Sequence, residues 1–392
     1  MYSVYTHPES DCVWIAQDGE RYDDPCVGLE ASGLTKEEAE RKKYEIEKRW
    51  GIAKMRVLIL DINHMHLNGA STYTLHLKAG LEKLGHHVTL VASTGRGKPL
   101  KGSEEHSAIT WLKEKDVELY VRTQEWDVIH LNDGQFDCKD YTFLKWLGEI
   151  PDTVRSFTVH GRKNFHLLSC ENLFKHVPMQ TIFTVDMGCI QQFQPYAQVV
   201  KMIELPFARE IMPEFNGNKQ SVVICPSRFF LGKFPEDVAK VFLAIQSQLI
   251  GTYKVRFFGY ESFYAHLRAA EEIFKNPLFE MNPSYKFAQK STVYGAAEFM
   301  FDGSNIANLG SGRIQYTSLE AMHYGAVPVI RSQWMHPNIT AFDMQSEDLI
   351  AMMNDKSMVW TAINENWRHL EEHYRADKIA QNYVTVWERF VK

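Results

Sequence analysis

The sequence predicts an α/β protein whose main body consists of two successive domains, each a parallel sheet covered by helices. From Met55 onward, short apolar runs alternate with longer helical stretches, which is the pattern of consecutive βαβ units. Residues 206–218, with two prolines and a Gly-Asn turn, interrupt this alternation, and it then begins again. The chain has 392 residues, more than one hydrophobic core usually spans, so a ligand cleft between two domains is expected.

Residues 1–54 differ from the rest of the chain. Two short apolar runs, at 12–16 and 26–29, are separated by turn-forming residues and followed by a charged helical segment at 34–50. Thr35 and Glu38 have the spacing of a capping box at the start of that helix. We expect a small β-β-α appendage that docks onto the main body or serves as an interaction arm.

The two main domains are predicted at residues 55–210 and 211–375, and both are Rossmann-like. The first has expected strands at 56–60, 87–92, 127–131, 155–159, 181–184 and 199–203, and a helix at 71–84 that ends at Gly85. The second has expected strands at 221–225, 254–258, 298–301 and 327–330, and helices at 235–250 and 318–324. A last helix is predicted within residues 376–392.

Composition excludes several classes of protein. The net charge of -6 gives no overall attraction to nucleic acids or anionic membranes, so binding to a polyanion requires a local basic patch. The six cysteines lack CxxC spacing, which favours reduced thiols over a disulfide framework or a zinc site. A secretion signal and a run of 18 apolar residues are both missing, so we expect a cytoplasmic protein without a membrane span, as a monomer or weak dimer.

The most informative segment is residues 310–330, where a glycine-bearing loop leads into a predicted helix. Free backbone N–H groups and the helix dipole at such a start favour a bound diphosphate. The candidate contacts are Gly310, Arg313, Tyr316, Thr317, Ser318 and Glu320. An interpretation without a ligand is also open, because Thr317 and Glu320 have the spacing of a capping box.

The run SLEAMHYGAVPV at 318–329 resembles the signature of the family-four retaining glycosyltransferases, which have the GT-B fold. The resemblance covers most of residues 55–392 and implies two Rossmann-like domains that face a cleft, with the last helix packing back on the first domain. It also implies that Glu320 binds the ribose of the donor. The family's earlier glutamate, eight residues upstream, is Gly312 here, and Asp302, Ser304 and the loop 310–313 are the candidates to replace it.

Three further matches follow in the family's order. Gly69, in a loop after the first predicted strand, resembles the family's glycine loop, where backbone approaches the donor phosphate or the acceptor. Arg228 and Lys233 are similar to the pair that neutralises the departing diphosphate, although both could be ordinary surface charges. His160, at the end of a predicted strand, is similar to a histidine beside the donor sugar, although a structural histidine is the alternative.

The resemblance implies a nucleotide-diphosphate sugar as donor, with a UDP-sugar expected, and transfer with retention. No Asp/Glu pair stands on matched strand ends, as glycoside hydrolysis needs, and no Asp-x-Asp motif is present. We therefore expect catalysis without a bound metal, with cations and helix dipoles stabilising the developing charge. The predicted catalytic residues are His160, Gly69 and Asp302.

Within the superfamily, the motifs resemble those of phage DNA alpha-glucosyltransferases, which modify hydroxymethylated bases. This implies double-stranded DNA as a partner, a hydroxymethylated pyrimidine as acceptor, and the host cytoplasm as location. The candidate DNA contacts are Arg96, Lys98, Arg162 and Lys163, with Phe165 beside a flipped base. Two alternatives stay open: an acceptor that is a small molecule, saccharide or protein, and a sugar-nucleotide-binding protein without catalysis.

Overall fold

The structure is a computed structural model, and it describes most of the chain. The described residues are 1–7, 12–17, 28–49, 54–61, 69–94, 108–133, 141–160, 173–211, 219–226, 233–259, 271–304 and 314–391. The chain divides into two compact units. The small unit contains Met1–Arg56 with Gly85–His87, and the large unit contains Val57–Leu84 and Val88–Lys392.

The small unit is a three-stranded antiparallel sheet with one helix. Its elements are β1 (Tyr2–His7), β2 (Cys12–Gln17), β3 (Gly28–Leu34) and α1 (Lys36–Arg49), and the strand order is β2-β1-β3. Its core contains Val4, Val13, Ala39 and Ile46. Strand β1 was not predicted, because no turn residues precede it to mark its start.

The predicted capping box of α1 is confirmed. The backbone N–H of Glu38 donates to Oγ1 of Thr35 at 3.3 Å, and the backbone N–H of Thr35 donates to Oε2 of Glu38 at 2.8 Å. The hydrogen bond from the Thr35 N–H, followed by one from the Thr35 hydroxyl to the same oxygen, lowers the pKa of the Glu38 carboxyl. The helix therefore starts where the sequence indicates.

The first main domain is a parallel sheet of seven strands. In chain order they are β4 (Arg56–Asp61), β5 (His87–Thr94), β6 (Ile109–Lys113), β7 (Val128–Asp133), β8 (Val154–Val159), β9 (Met179–Thr184) and β10 (Ala197–Met202). The spatial order is β10-β9-β8-β7-β4-β5-β6, and neighbours such as β4 and β7 pair in parallel. Its helices are α2 (Gly69–Lys83), α3 (Glu114–Arg122), α4 (Ile190–Phe193) and a 3₁₀ helix (Tyr141–Glu149).

The second main domain is a parallel sheet of six strands. They are β11 (Gln220–Cys225), β12 (Lys254–Phe258), β13 (Phe279–Asn282), β14 (Ala297–Asp302), β15 (Val327–Ile330) and β16 (Phe342–Asp343), in the spatial order β13-β12-β11-β14-β15-β16. Its helices are α5 (Pro235–Ile245), α6 (Glu271–Phe274), α7 (Lys290–Gly295), α8 (Tyr316–His323), α9 (Leu349–Asn354) and α10 (Lys356–His369). Each domain has its own buried core.

In both parallel sheets, successive strands are added first on one side of the first strand and then on the other side. In the first domain the order turns between β4 and β7, and in the second between β11 and β14. Ligands of open α/β sheets bind outside the carboxyl ends of the strands at such a switch point. The fold therefore predicts where side chains can meet a ligand.

The last helix, α11 (Ala376–Trp387), packs on the first domain, as the resemblance to GT-B enzymes implies. A π-helical turn, Leu370–Tyr374, leads into it. The hydroxyl of Tyr383 bonds to that of Thr158 in β8 at 2.8 Å, and Nε1 of Trp387 donates to Oγ of Ser156 at 3.0 Å.

The chain crosses between the two main domains at two places that lie side by side. Phe207 and Arg375 form a parallel bridge, in which the N–H of Phe207 donates to the carbonyl of Tyr374 at 2.7 Å. The N–H of Ala376 donates to the carbonyl of Phe207 at 3.2 Å. A Cβ at Gly80 of α2 would lie only 2.3 Å from the Ala376 carbonyl oxygen, so this approach requires glycine.

Within the described ranges, no helix is long and apolar enough to cross a membrane. Cys189 and Cys225 are buried.

Candidate active site at the carboxyl ends of the strands

Two helix starts, one from each main domain, meet next to the switch points. Helix α2 begins at Gly69 and helix α8 at Tyr316. A Cβ placed on Gly69 would lie 3.8 Å from Cδ2 of Tyr316. The predicted glycine loop and the predicted donor segment are therefore neighbours in space, although 247 positions separate Gly69 from Tyr316 in the sequence.

Tyr316 joins the two domains. Its hydroxyl donates to the carbonyl of Pro206 at 2.9 Å, and its ring stacks on that of His76 in α2, with centroids 5.4 Å apart. Burial, followed by the proximity of Tyr383 and Glu320, raises the pKa of the Tyr316 hydroxyl well above its usual value. The side chain thus remains a neutral donor to the backbone at the first domain crossing.

His76 completes this contact between the domains. It is fully buried, stacks on Phe207 at 5.0 Å, and its Nδ1 accepts the N–H of Ala208 at 2.7 Å. Burial, and then the charge of Lys290, lower the pKa of His76 well below its usual value. A neutral imidazole therefore packs between the domains.

The first turn of α8 is held by Asp302, which ends β14. Oδ2 of Asp302 accepts the Thr317 hydroxyl at 3.3 Å, and Oδ1 accepts the N–H of Ser304 at 2.8 Å and the Ser304 hydroxyl. Gln315, and not Thr317, is the N-cap of α8, and it makes no side-chain capping bond. The capping box considered for Thr317 and Glu320 does not form, and Ser318 is buried in the same turn.

Lys233 lies at the start of α8. Its Nζ donates to Oε1 of Gln315, the N-cap residue, at 2.6 Å. The next residue, Phe234, has a φ of 46°, a left-handed conformation that is strained for a side chain of this size. A Cβ at Gly303 would lie 2.6 Å from the Phe234 carbonyl oxygen, so Lys233 and the end of β14 are held close together.

Glu320 lies in the interior, at 4% exposure, on the second turn of α8. Its Oε1 accepts a hydrogen bond from Nζ of Lys290, the first residue of α7, at 2.5 Å. Lys290 is itself only 8% exposed. Glu320, the residue predicted to bind the donor ribose, is therefore one half of a buried ion pair.

His160 lies at the carboxyl end of β8 and is half-buried. Its Nε2 bonds to Oδ1 of Asn132, in the neighbouring strand β7, at 2.6 Å, which places a proton on Nε2 because an amide oxygen only accepts. The ring of Tyr73 in α2 meets the imidazole edge-on at 4.5 Å. The orientation of His160 is thus fixed by groups of the first domain.

One cluster among the described residues could share a metal ion. His369, Glu372 and His373 offer ligand atoms within 4.8 Å of one another. They lie at the end of α10 and in the π-helical turn, and none of them belongs to the strand ends described above.

Comparison with known proteins decides the fold family. No protein-family model matches the sequence, and no curated protein matches it at a significant level. Solved structures do match over 86% of this chain. An alpha-glucosyltransferase in complex with UDP and a 13-mer DNA containing an HMU base is similar over its full length, with 14% identity and a TM-score of 0.66. HepE from Anabaena, in complex with UDP-glucose, is similar over its full length, with 13% identity and a TM-score of 0.63.

A third similar structure is AviGT4, a glycosyltransferase involved in avilamycin A biosynthesis. It has 13% identity, 98% of its chain is covered, and the TM-score is 0.57. Each of these proteins superposes on both sheets of this chain rather than on one, because 86% of the chain is covered. The chain has the GT-B fold.

Several predicted contacts of a GT-B site lie outside the described residues. They are Arg228, Gly310, Arg313, Arg96, Lys98, Arg162 and Lys163, together with Gly312 and Phe165. The described members of the predicted site fall into two groups. Around the start of α8 lie Gly69, Tyr316, Thr317, Ser318, Lys233 and Asp302. Glu320 lies in the second turn of the same helix, and His160 lies at the carboxyl end of β8 in the first domain.

The hydrogen-bond partners of Glu320, His160 and Lys233 were not predicted from the sequence. Lys290 lies 30 positions from Glu320 in a segment without a recognisable motif. Asn132 directly follows the strand predicted at 127–131, and its polar side chain near the carboxyl end of β7 was a signal that could have been used. Gln315 was missed as the cap because the helix was predicted to begin at Ser318, whereas it begins at Tyr316.

Proposed function

We propose that the protein is a glycosyltransferase that moves a sugar from a UDP-sugar to a hydroxyl group, with a hydroxymethylated pyrimidine in DNA as acceptor and with retention at the anomeric carbon. The observation that carries this proposal is the meeting of α2 and α8 at Gly69 and Tyr316. Backbone N–H groups at two helix starts, with Lys233 beside one of them, form a site of positive potential. A nucleotide diphosphate is the ligand class that this arrangement favours.

The donor occupies the second domain in this proposal. Lys233, with Arg228 and Arg313, neutralises the diphosphate. Gly310 and the first turn of α8, at Tyr316, Thr317 and Ser318, present their backbone to the phosphates. Glu320 accepts hydrogen bonds from the ribose. Asp302 keeps this turn in place through Thr317 and Ser304.

The reaction breaks the bond between the anomeric carbon and the diphosphate oxygen and forms a bond from that carbon to the acceptor oxygen. The proton of the acceptor hydroxyl passes to the departing diphosphate, so charge and atoms balance. Lys233 and the two helix starts stabilise the negative charge that develops on the diphosphate, which is the main catalytic contribution proposed here and needs no metal. His160, held by Asn132, hydrogen-bonds a hydroxyl of the sugar.

Two lines support DNA as the acceptor. The order of the sequence motifs is that of phage DNA alpha-glucosyltransferases, and a solved structure of similar fold contains DNA with an HMU base. In the proposal, Arg96, Lys98, Arg162 and Lys163 bind the DNA backbone. This local patch is necessary because the net charge of -6 gives the chain no overall attraction to DNA.

The test has two stages. Thermal shift with UDP, GDP and ADP identifies the nucleotide, and the matching sugar donor is then incubated with duplex DNA containing hydroxymethylcytosine, hydroxymethyluracil or unmodified bases. Mass spectrometry is expected to show one added sugar on modified DNA alone, with turnover that falls as salt rises. NMR of the product sugar is expected to show the anomeric configuration of the donor.

Other outcomes discriminate the alternatives. Transfer to a saccharide, protein or small molecule, without any mass increase on DNA, contradicts the proposed acceptor but keeps the glycosyltransferase. Nucleotide binding without transfer to any acceptor and without donor hydrolysis identifies a sugar-nucleotide-binding protein instead.

A further inference from the structure

Both side chains of the Lys290–Glu320 ion pair are buried, which is uncommon for charged residues. Lys290 is 8% exposed and Glu320 is 4% exposed, and their charged atoms lie 2.5 Å apart. Removing two such charges from water costs several kcal/mol, and apolar residues of the same size often stabilise a fold equally well. The pair is therefore poorly explained by stability alone.

A group of tyrosines surrounds the Glu320 carboxylate. Burial, and then the charge of Glu320, raise the pKa of the Tyr294 hydroxyl well above its usual value, so this hydroxyl stays protonated beside the carboxylate. Tyr294 bonds to the hydroxyl of Tyr285 at 3.1 Å, and its ring stacks on Tyr324. The tyrosines thus give Glu320 neutral neighbours in addition to the charged Lys290.

Lys290 also has a defined place in the chain. It is the first residue of α7, and α7 leads directly into β14, which ends at Asp302. Asp302 in turn bonds to Thr317 in the first turn of α8, and Glu320 lies in the second turn of the same helix. Asp302 therefore holds the start of the helix that carries Glu320, and Lys290 contacts the Glu320 carboxylate itself.

We propose that Lys290 is a positioning residue that holds the Glu320 carboxylate in the orientation in which it accepts the ribose hydroxyls of the donor nucleotide. This inference rests on the proposed function, because that function places the ribose at Glu320. A carboxylate that is fixed by a salt bridge before the ligand arrives does not have to be reorganised on binding, so its bond to a hydroxyl is stronger. The consequence is that Lys290, without touching the nucleotide, sets the preference for ribose over 2′-deoxyribose.

The test compares the affinities for UDP and 2′-deoxy-UDP by isothermal titration, so that it does not depend on the acceptor. One lost hydrogen bond to a charged group weakens binding by about ten-fold or more, and we expect the wild-type protein to prefer UDP by about this factor. Lys290→Met is expected to reduce the preference to below about three-fold, and Lys290→Arg to restore most of it. Lys286→Met, in the exposed segment just before α7, is the matched control and keeps the wild-type preference.

Because Lys290→Met leaves an unpaired buried carboxylate, its folding is checked by circular dichroism and thermal unfolding. Glu320→Gln and the double variant with Lys290→Met carry the test if the single variant does not fold. If Lys290 acts through Glu320, Glu320→Gln and the double variant have the same ratio of affinities for UDP and 2′-deoxy-UDP, because without the carboxylate Lys290 has nothing to position. Further loss of the ratio in the double variant overturns the proposal, as does a folded Lys290→Met with the wild-type ratio.

Failure of this inference and failure of the proposed function have different signatures. If the wild-type protein binds no nucleotide, both are overturned. If it binds UDP but transfers no sugar to DNA, the proposed acceptor is contradicted, and if it transfers sugar to no acceptor and does not hydrolyse the donor, the proposed catalysis is contradicted too. In both cases the comparison of ratios still decides the role of Lys290.

Discussion

Tyr383 and Thr158 share a hydrogen bond of 2.8 Å in the interior of the first main domain, although 225 positions separate them. The hydroxyl of Tyr383 also contacts that of Tyr73, and the Thr158 hydroxyl continues to Nε2 of His130 at 3.0 Å. Nδ1 of His130 bonds to the hydroxyl of Ser156 at 2.9 Å. The last helix is therefore tied into the sheet by a buried polar network as well as by apolar packing.

Tyr383→Phe is expected to destabilise the protein. The substitution keeps the ring but leaves Tyr73 and Thr158 short of one buried partner, which costs about 1–3 kcal/mol. The free energy of unfolding in urea measures this. Tyr120→Phe, on a half-buried position of α3, is the control and is expected to change it little, and an equal loss in both variants would contradict the importance of the network.

Because of the buried His130, we expect the free energy of unfolding to decrease in acid. Burial, and then the charge of His160, lower the pKa of His130 from 6.5 to about 3. Because the unfolded chain takes up this proton at a higher pH than the folded protein, the unfolding free energy falls as the pH drops from about 6.5 towards 3, by up to about 1.4 kcal/mol per pH unit. Urea unfolding at several pH values is expected to show a shallower slope for His130→Gln than for the wild type, and parallel slopes would refute the assignment.

Gly80→Ala is expected to destabilise, against the usual trend. In a helix interior this change normally stabilises by about 1 kcal/mol. Here the new methyl group meets the carbonyl of Ala376 at 2.3 Å, and the overpacking is expected to cost about 1–3 kcal/mol. Gly69→Ala meets its neighbour at an ordinary 3.8 Å, so it serves as the folded control, and thermal unfolding of the two variants is the measurement.

Lys233→Ala is expected to reduce kcat/KM for sugar transfer or donor hydrolysis by about 100-fold, because a cation beside the departing diphosphate is lost. Lys240→Ala removes a cation from the same region of sequence, on a side chain that is 61% exposed, and is expected to keep full activity. Steady-state kinetics on both variants distinguishes a local contact from a general charge effect. Similar losses in the two would indicate the latter.

The repeating units of the fold could be predicted from the sequence because buried parallel strands are continuous apolar runs. Every strand predicted in the main body is present, and β12 and β15 have the predicted bounds. The strands β6, β13 and β16 were missed. They are short strands near the sheet edges, where mixed polar sequences such as FEMN give no clear pattern.

The candidate site was predicted less completely, for a physical reason. Residues at helix starts and strand ends, such as Gly69, His160 and Lys233, are marked by their place in a local motif. Their partners are set by packing between distant segments. Nothing in the local sequence of Lys290 indicates an ion pair with Glu320, since a lysine in a short helix is usually solvated.

The paired crossings at Phe207 and Arg375 determine how the two main domains can move. Two adjacent connections tied by backbone hydrogen bonds resist sliding, so we expect any turn of one main domain against the other to take place about this point. Gly69 and Tyr316 lie beside it, since Tyr316 bonds to Pro206. Such a turn would displace the starts of α2 and α8 little, and it would displace strand ends farther from this point more.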